Sequence, residues 1–257
     1  MSIMRSSILQ HSIVAAVVAM AAATTGARPV YGQAVELRVS VVPTGITTAG
    51  ATTSITYSVE NAGESLDSLA ILVLDAQVEP TETAIPPAEP PPGYMVRYGY
   101  GNMKALSLGF LDRLNPGERR GPFTVRATGL PTIVPYWVVP SLPIDEVIDE
   151  TEPAGGEPEG DAFTPDDRAG LTVGVVPAPD DQSEAALTTR LSGLLNDACS
   201  LGWVDGPAGI CNSLQVKIRQ GQLDAFLNEL DAQRGQHVSE SAYFLLRANA
   251  EYILTRR

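Results

Sequence analysis

The sequence predicts an α+β chain in two parts, an immunoglobulin-like antiparallel β-sandwich followed by a small helical bundle. Three observations lead there. Apolar residues recur with period two from Val35 to about Pro177. Gly and Pro, 23 and 20 of the 257 residues, interrupt that stretch at short intervals. After Pro179 the apolar period becomes helical.

The elements follow in chain order. Residues 1–34 read as a secretory signal peptide: a polar start with Arg5, the apolar run Ile13–Ala23, then a small-residue segment. The run is too short to anchor the chain across a bilayer. Cleavage after Ala34 places small residues at −1 and −3, and cleavage after Gly32 is the alternative. No later stretch resembles a membrane span, so no transmembrane segment is expected once the leader is removed.

Residues 35–179 are expected to form the sandwich. Leu37, Val39 and Val41 alternate with polar neighbours, as do Ile55, Tyr57 and Val59 before a turn at Asn61–Gly63. Further strands are expected at Leu69–Leu74, Tyr94–Tyr98, Ala105–Leu111, Gly121–Ala127, Ile133–Val139 and Leu171–Val176, with PPPG, NPGE and TGLP as turns. About eight strands at this spacing suggest the immunoglobulin-like class. Pro86, Pro87, Pro90, Pro91 and Pro92 read as a stiff connection that cannot join a central sheet.

Charge marks one segment off. Asp145, Glu146, Asp149, Glu150, Glu152, Glu157, Glu159, Asp161, Asp166 and Asp167 follow one another without an intervening Lys or Arg. Unpaired carboxylates at that density would each face several kcal/mol of desolvation in a core. Residues 141–169 are therefore read as an acidic disordered loop inside the sandwich, because the strand-like GLTVGVV follows it; an interdomain linker is the alternative.

Residues 180–257 are expected to form the bundle. Asp181 and Glu184 resemble a capping box, and Leu187, Leu191, Leu194, Leu195 and Ala198 share one helical face. A second stripe runs from Leu214 through Ile218, Leu223, Phe226 and Leu227 to Leu230. A third helix begins at Ser239, with Ala242, Leu245, Leu246 and Ile253 inward.

Composition excludes several function classes. A formal charge of −13, two units lower without Arg5 and Arg28, opposes nucleic-acid binding, which needs Lys and Arg on phosphates. Two Cys and two His exclude Cys₄ and His₃ metal centres, and loss of His11 with the leader leaves His237 alone and excludes Cys₂His₂ as well. A Ser–His–acid site would need His237, yet Ser239 and Glu240 are its sequence neighbours, and nucleophile and base normally converge from separate elements. Glycosidase carboxylates exist only in the acidic run, which lacks a scaffold to fix their separation. No cofactor is expected. Calcium on the acidic run is the one ion considered, although the run lacks the spacing that wraps a single ion.

Two further candidate features remain. Cys199 and Cys211, the chain's two cysteines, end one expected helix and begin the next; export favours a disulfide between them. Tyr94, Tyr98 and Tyr100 offer an aromatic ligand platform, with Tyr98 and Tyr100 on one face by alternation; core packing of a hairpin is the competing use.

The C-terminal text ICNSLQVKI followed by LDAFLNELDAQRGQHVSESAYFLLRANAEYIL resembles the FIMAH domain, a helical module of secreted bacterial proteins. Asn212–Leu214, Ala225–Leu227 with Glu229, Gln233–Gly235 and Ala250–Ile253 carry the resemblance. The family has a longer stretch between its NSL-like and AFL-like segments, where this chain has only Gln215–Asp224. LNPGERRGPFTVRATGLPTIVPYWV is similar to a block in exported bacterial β-sandwich segments. Neither resemblance implies a catalytic residue; the first implies surface attachment or intermolecular contact.

The sequence thus leads to a non-catalytic protein, secreted or periplasmic, for binding or cell-surface assembly. Its partner would be a cell-envelope or extracellular protein or a glycan. A carbohydrate-binding accessory module is the first alternative and a secreted hydrolase the second.

Overall fold

Nine strands in two antiparallel sheets precede four helices in the computed structural model, which describes residues 37–77, 82–84, 94–100, 103–140, 169–206 and 209–257. The expected signal peptide, the proline run at 86–92 and the acidic run at 141–168 lie outside the described residues.

The strands are β1 (Val39–Ala49), β2 (Thr52–Asn61), β3 (Leu69–Asp75), β4 (Glu82–Ala84), β5 (Tyr94–Tyr100), β6 (Met103–Leu114), β7 (Arg119–Thr128), β8 (Leu130–Pro140) and β9 (Gly170–Val176). They form a four-stranded sheet in the order β1-β2-β7-β4 and a five-stranded sheet in the order β5-β6-β3-β8-β9. In β2 burial alternates strictly, with Thr53, Ile55, Tyr57, Val59 and Asn61 inward, as period two requires of a half-wet sheet. Inward side chains of both sheets belong to one core, among them Ile55, Tyr57 and Val59 from β2 and Leu72, Leu106, Leu108 and Val173 from the other sheet. On the opposite face of the five-stranded sheet, Val73, Ala105 and Trp137 form a separate buried cluster.

Two expectations about strands need correcting. TGLP does not act as a hairpin turn: β7 runs to Thr128 and β8 starts at Leu130 in the other sheet, so this crossing between sheets takes the single residue Gly129. Pro131 and Pro135 lie within β8 because β3 pairs only with Tyr136–Pro140, leaving no β3 residue opposite them to receive an N–H. The second correction is β4, three residues paired with Thr124–Arg126 in a segment lacking apolar alternation.

The helices are α1 (Glu184–Ser200), α2 (Gly209–Arg219), α3 (Leu223–Gln233) and α4 (Glu240–Leu254). Ser183 rather than Asp181 is the N-cap of α1: its hydroxyl accepts from the Ala186 amide, while the Asp181 carboxylate accepts from the Ser183 amide. That backbone bond holds the Asp181 carboxyl below its ordinary range. The second apolar stripe is two helices rather than one. Gly221, at φ +68°, terminates α2 with its own amide on the Ile218 carbonyl and the Gln222 amide on the Lys217 carbonyl, the paired bonds of a Schellman ending.

Helix α4 is apolar on more than one side, with Ala242, Tyr243, Leu245, Leu246, Ala248, Asn249, Ala250, Tyr252 and Ile253 all buried. It packs against β1, β8 and β9 on one side and against α1 and α3 on the other. The helices and the inner sheet faces consequently share a single apolar core.

Candidate functional site

On its outer face the four-stranded sheet is polar, since β2 places Ser54, Thr56, Ser58 and Glu60 there while their neighbours point inward. Regular ladders would make that face smooth. Around Ser58 both ladders shift register: β1 against β2 between Pro43 and Gly45, and β2 against β7 between Tyr57 and Val59. Register shifts bend a strand and re-aim its side chains. The second one contains Gly121, at φ +134°, where a Cβ would stand 2.7 Å from the Tyr57 carbonyl oxygen.

A groove of about 440 Å³ lies over this irregular patch. Ser40, Val42, Thr44 and Ser58 line it from the sheet, and Arg234 and Glu240, either side of the α3–α4 turn, line it from the helices. A second concavity of about 410 Å³ shares Ser40 and Glu60 and reaches Ala169, so concave surface extends along the start of β1.

Two Arg–Glu pairs border the groove. Arg119 donates from Nε to Glu60 Oε2 at 3.0 Å and from Nη2 to the same oxygen. Arg234 donates from Nε and Nη2 to the two oxygens of Glu240 at 2.9 and 2.6 Å, a fork-to-fork geometry that raises its already high pKa. The same guanidinium lies 4.2 Å from the Tyr243 ring centre and 4.9 Å from that of Phe244, which fixes its plane. Among these lining residues two cations meet two anions. Thr44 donates to the Thr56 carbonyl at 3.3 Å, whereas among the described residues the Ser40 and Ser58 hydroxyls have no protein partner.

The residues singled out from sequence fall elsewhere, with one exception. Cys199 and Cys211 are joined as a disulfide, Cα to Cα 6.4 Å. It closes the loop 200–210, which is tied to the α3–α4 turn by the Val204 and Val238 bridge and by the Asp205 amide on the His237 carbonyl. His237 Nδ1 lies 3.6 Å from Asp205 Oδ1, the Ser239 hydroxyl caps α4 by accepting from the Ala242 amide, and Glu240 is engaged by Arg234. The three neighbours therefore have three separate tasks, and Glu240 alone reaches the groove. Tyr98 is exposed; β5 pairs Tyr94 with Phe110 and Tyr98 with Leu106, then shifts register before Tyr100 pairs with Met103.

No protein-family model matches this sequence, and no curated protein does. Among solved structures, a similar one can be described. It is an uncharacterized protein from Nocardia farcinica whose crystal structure is described as revealing an immunoglobulin-like fold. The identity is 16%, over 54% of this chain and 97% of that one, with a TM-score of 0.29. A score of that size carries no argument, and the sheet order rests on the registers above. Among the described residues no helix is long and apolar enough to cross a membrane, and no cluster of three or more His, Cys, Asp or Glu is placed to hold a metal.

Sequence reasoning missed the groove, along with Arg119, Arg234 and the two serines. Alternation marks Ser40 and Ser58 as outward residues, but nothing local to them signals the two register shifts.

Proposed function

We propose that this chain is an exported, non-catalytic binding protein of the cell surface or extracellular space, and that the groove beside the α3–α4 turn is its contact site. In this reading the two sheets are an immunoglobulin-like sandwich, the four helices a FIMAH-like bundle, and the mature protein acts after loss of residues 1–34. The groove carries the proposal: a concavity built on paired strands, bordered by two Arg–Glu ion pairs and floored by hydroxyls without protein partners among the described residues. Sites built on such elements are preorganised, so binding need not order them first. The disulfide supports the compartment, since such bonds persist where the surroundings are oxidising.

The test uses the tagged chain from Val35 to Arg257, applied to cell-envelope extracts and to extracellular material. Retention is expected, with loss on Ser40→Arg, which fills the groove with an exposed side chain. Retention unchanged in that variant would move the contact elsewhere. Turnover of peptidoglycan, polysaccharide or peptide substrate that disappears in His237→Ala would replace this reading with the hydrolase.

A further inference from the structure

The groove's chemistry is selective as well as concave. Resting on the binding role just proposed, we infer that its ligand is an uncharged oligosaccharide.

Four observations converge. First, the two Arg–Glu pairs present guanidinium donors and carboxylate acceptors side by side with no net charge between them. A sugar diol, each of whose hydroxyls both donates and accepts, matches such a border; an isolated anion meets a carboxylate beside each cation. Second, the Ser40 and Ser58 hydroxyls on the floor have no protein partner among the described residues, so a ligand can bond them without breaking an internal bond. Third, half-buried Val42, paired directly with Ser58 and two residues from Ser40 on the same face of β1, sets an apolar side chain beside these hydroxyls, suited to the C–H face of a sugar ring. Fourth, the concave surface continues past Ser40 and Glu60 toward Ala169, which suits several linked sugar units better than one.

A peptide is the less suitable occupant. Extended peptides bind sheets chiefly by adding a strand at an open edge. Here the floor is a sheet face whose backbone is committed to the β1–β2 and β2–β7 ladders. At the adjacent edge of β1, the Val39 and Val41 carbonyls already accept from Tyr136 and Thr172. What the groove offers is side-chain hydroxyls and ion pairs, the partners of a polyol.

The experiment is calorimetric titration of the full chain from Val35 with neutral cello-, xylo-, manno- and chito-oligosaccharides, alongside the double variant Ser40→Val with Ser58→Val. Removing hydroxyls that bond nothing among the described residues leaves folding intact, which the melting temperature verifies. At least one oligosaccharide is expected to bind, with affinity reduced about fivefold or more in the double variant, as loss of two ligand hydrogen bonds implies. Affinity should change by less than about twofold between low and high salt, because a neutral ligand gains little from screened charges. Absence of binding to every neutral probe, binding restricted to charged glycans, or binding untouched by the double variant would each overturn the inference. If Ser40→Arg still abolishes retention on envelope material, the general binding role survives and only its ligand class falls.

Discussion

The Tyr57 hydroxyl donates a 2.6 Å hydrogen bond to the Val173 carbonyl, joining β2 of one sheet to the edge strand of the other inside the core. Two similar bonds lie at the same corner: Tyr136 to the Val39 carbonyl at 2.5 Å and Thr172 to the Val41 carbonyl at 2.7 Å. Strands β1 and β9 are the edges of their sheets, where backbone groups lack a neighbouring strand. The three side chains satisfy carbonyls that would otherwise be buried and unpaired, so each acts as both packing and edge treatment.

Burial keeps both phenols protonated beyond the ordinary tyrosine range, Tyr136 to about 12 and Tyr57 higher still. Below about pH 10 the folded and unfolded chains both hold these protons and the groups add no pH dependence. As pH rises further the unfolded chain releases them first, so stability falls by up to about 1.4 kcal/mol per pH unit for each phenol, toward pH 12 for Tyr136. Urea midpoints measured between pH 9 and 12 should decline accordingly, and Tyr136→Phe should flatten the decline while costing about 1–3 kcal/mol at neutral pH. An unchanged slope in that variant would mean the phenol is not buried.

Gly129 carries the chain from one sheet to the other at φ +149°, and a Cβ there would stand 2.0 Å from the Val176 carbonyl oxygen. Gly129→Ala should therefore cost more than about 3 kcal/mol, since strand backbone must move. Gly50, in the β1–β2 hairpin at φ +60°, has open space around its Cβ position, and Gly50→Ala should cost only about 1 kcal/mol. Thermal melts of the two variants test the contrast; equal losses would show that the crossing backbone can yield.

These glycines also show what the sequence could reveal. Alternation in ITYSV and the apolar stripe from Leu187 to Ala198 expose their elements directly, because each pattern records which side meets the core. The QGQ at 220–222 held a helix stop that a continuous stripe obscured, although a glycine between two apolar turns is the usual sign of one. TGLP concealed the sheet crossing because a glycine and a proline together mark a turn in most contexts. β4 has no core pattern, being held by β7 alone. The groove was least legible: its shape arises where strands distant in sequence pair out of step, and its border joins Glu60 to Arg119 and Arg234 to Glu240.

Asn249 clasps the helices to the sheets. Its amide donates to the Pro131 carbonyl at 3.1 Å and to the Leu245 carbonyl at 2.8 Å, while its oxygen accepts from Arg190, which also donates to Pro131 at 3.0 Å. Desolvation lowers the Arg190 pKa, and among the described residues no carboxylate pairs with it. Asn249→Ala removes the acceptor that supports this guanidinium and should cost about 2–4 kcal/mol. Arg190→Met removes the charge together with its need for partners, and the Pro131 carbonyl keeps the Asn249 amide, so its cost should stay below about 1.5 kcal/mol. Denaturant titration of both variants checks the order; a larger loss for Arg190→Met would make the guanidinium, rather than the amide, the clasp.

The same corner predicts how the chain responds to truncation. Helix α4 packs on β1, β8 and β9, and the residues it covers belong to the core that runs on between the sheets. A fragment of residues 35–179 would expose this apolar wall at the β1 and β9 edges and leave the Pro131 carbonyl without Asn249 and Arg190. Buried apolar surface is worth roughly 25 cal/mol per Å², so uncovering several side chains removes an amount comparable with the whole stability of a domain. The fragment should therefore lose its cooperative melt and bind a hydrophobic dye, while the chain from Val35 to Arg257 melts as one unit. Cooperative unfolding of the fragment within a few degrees of the longer chain would show that the sheets close without the helices and that α4 merely rests on them.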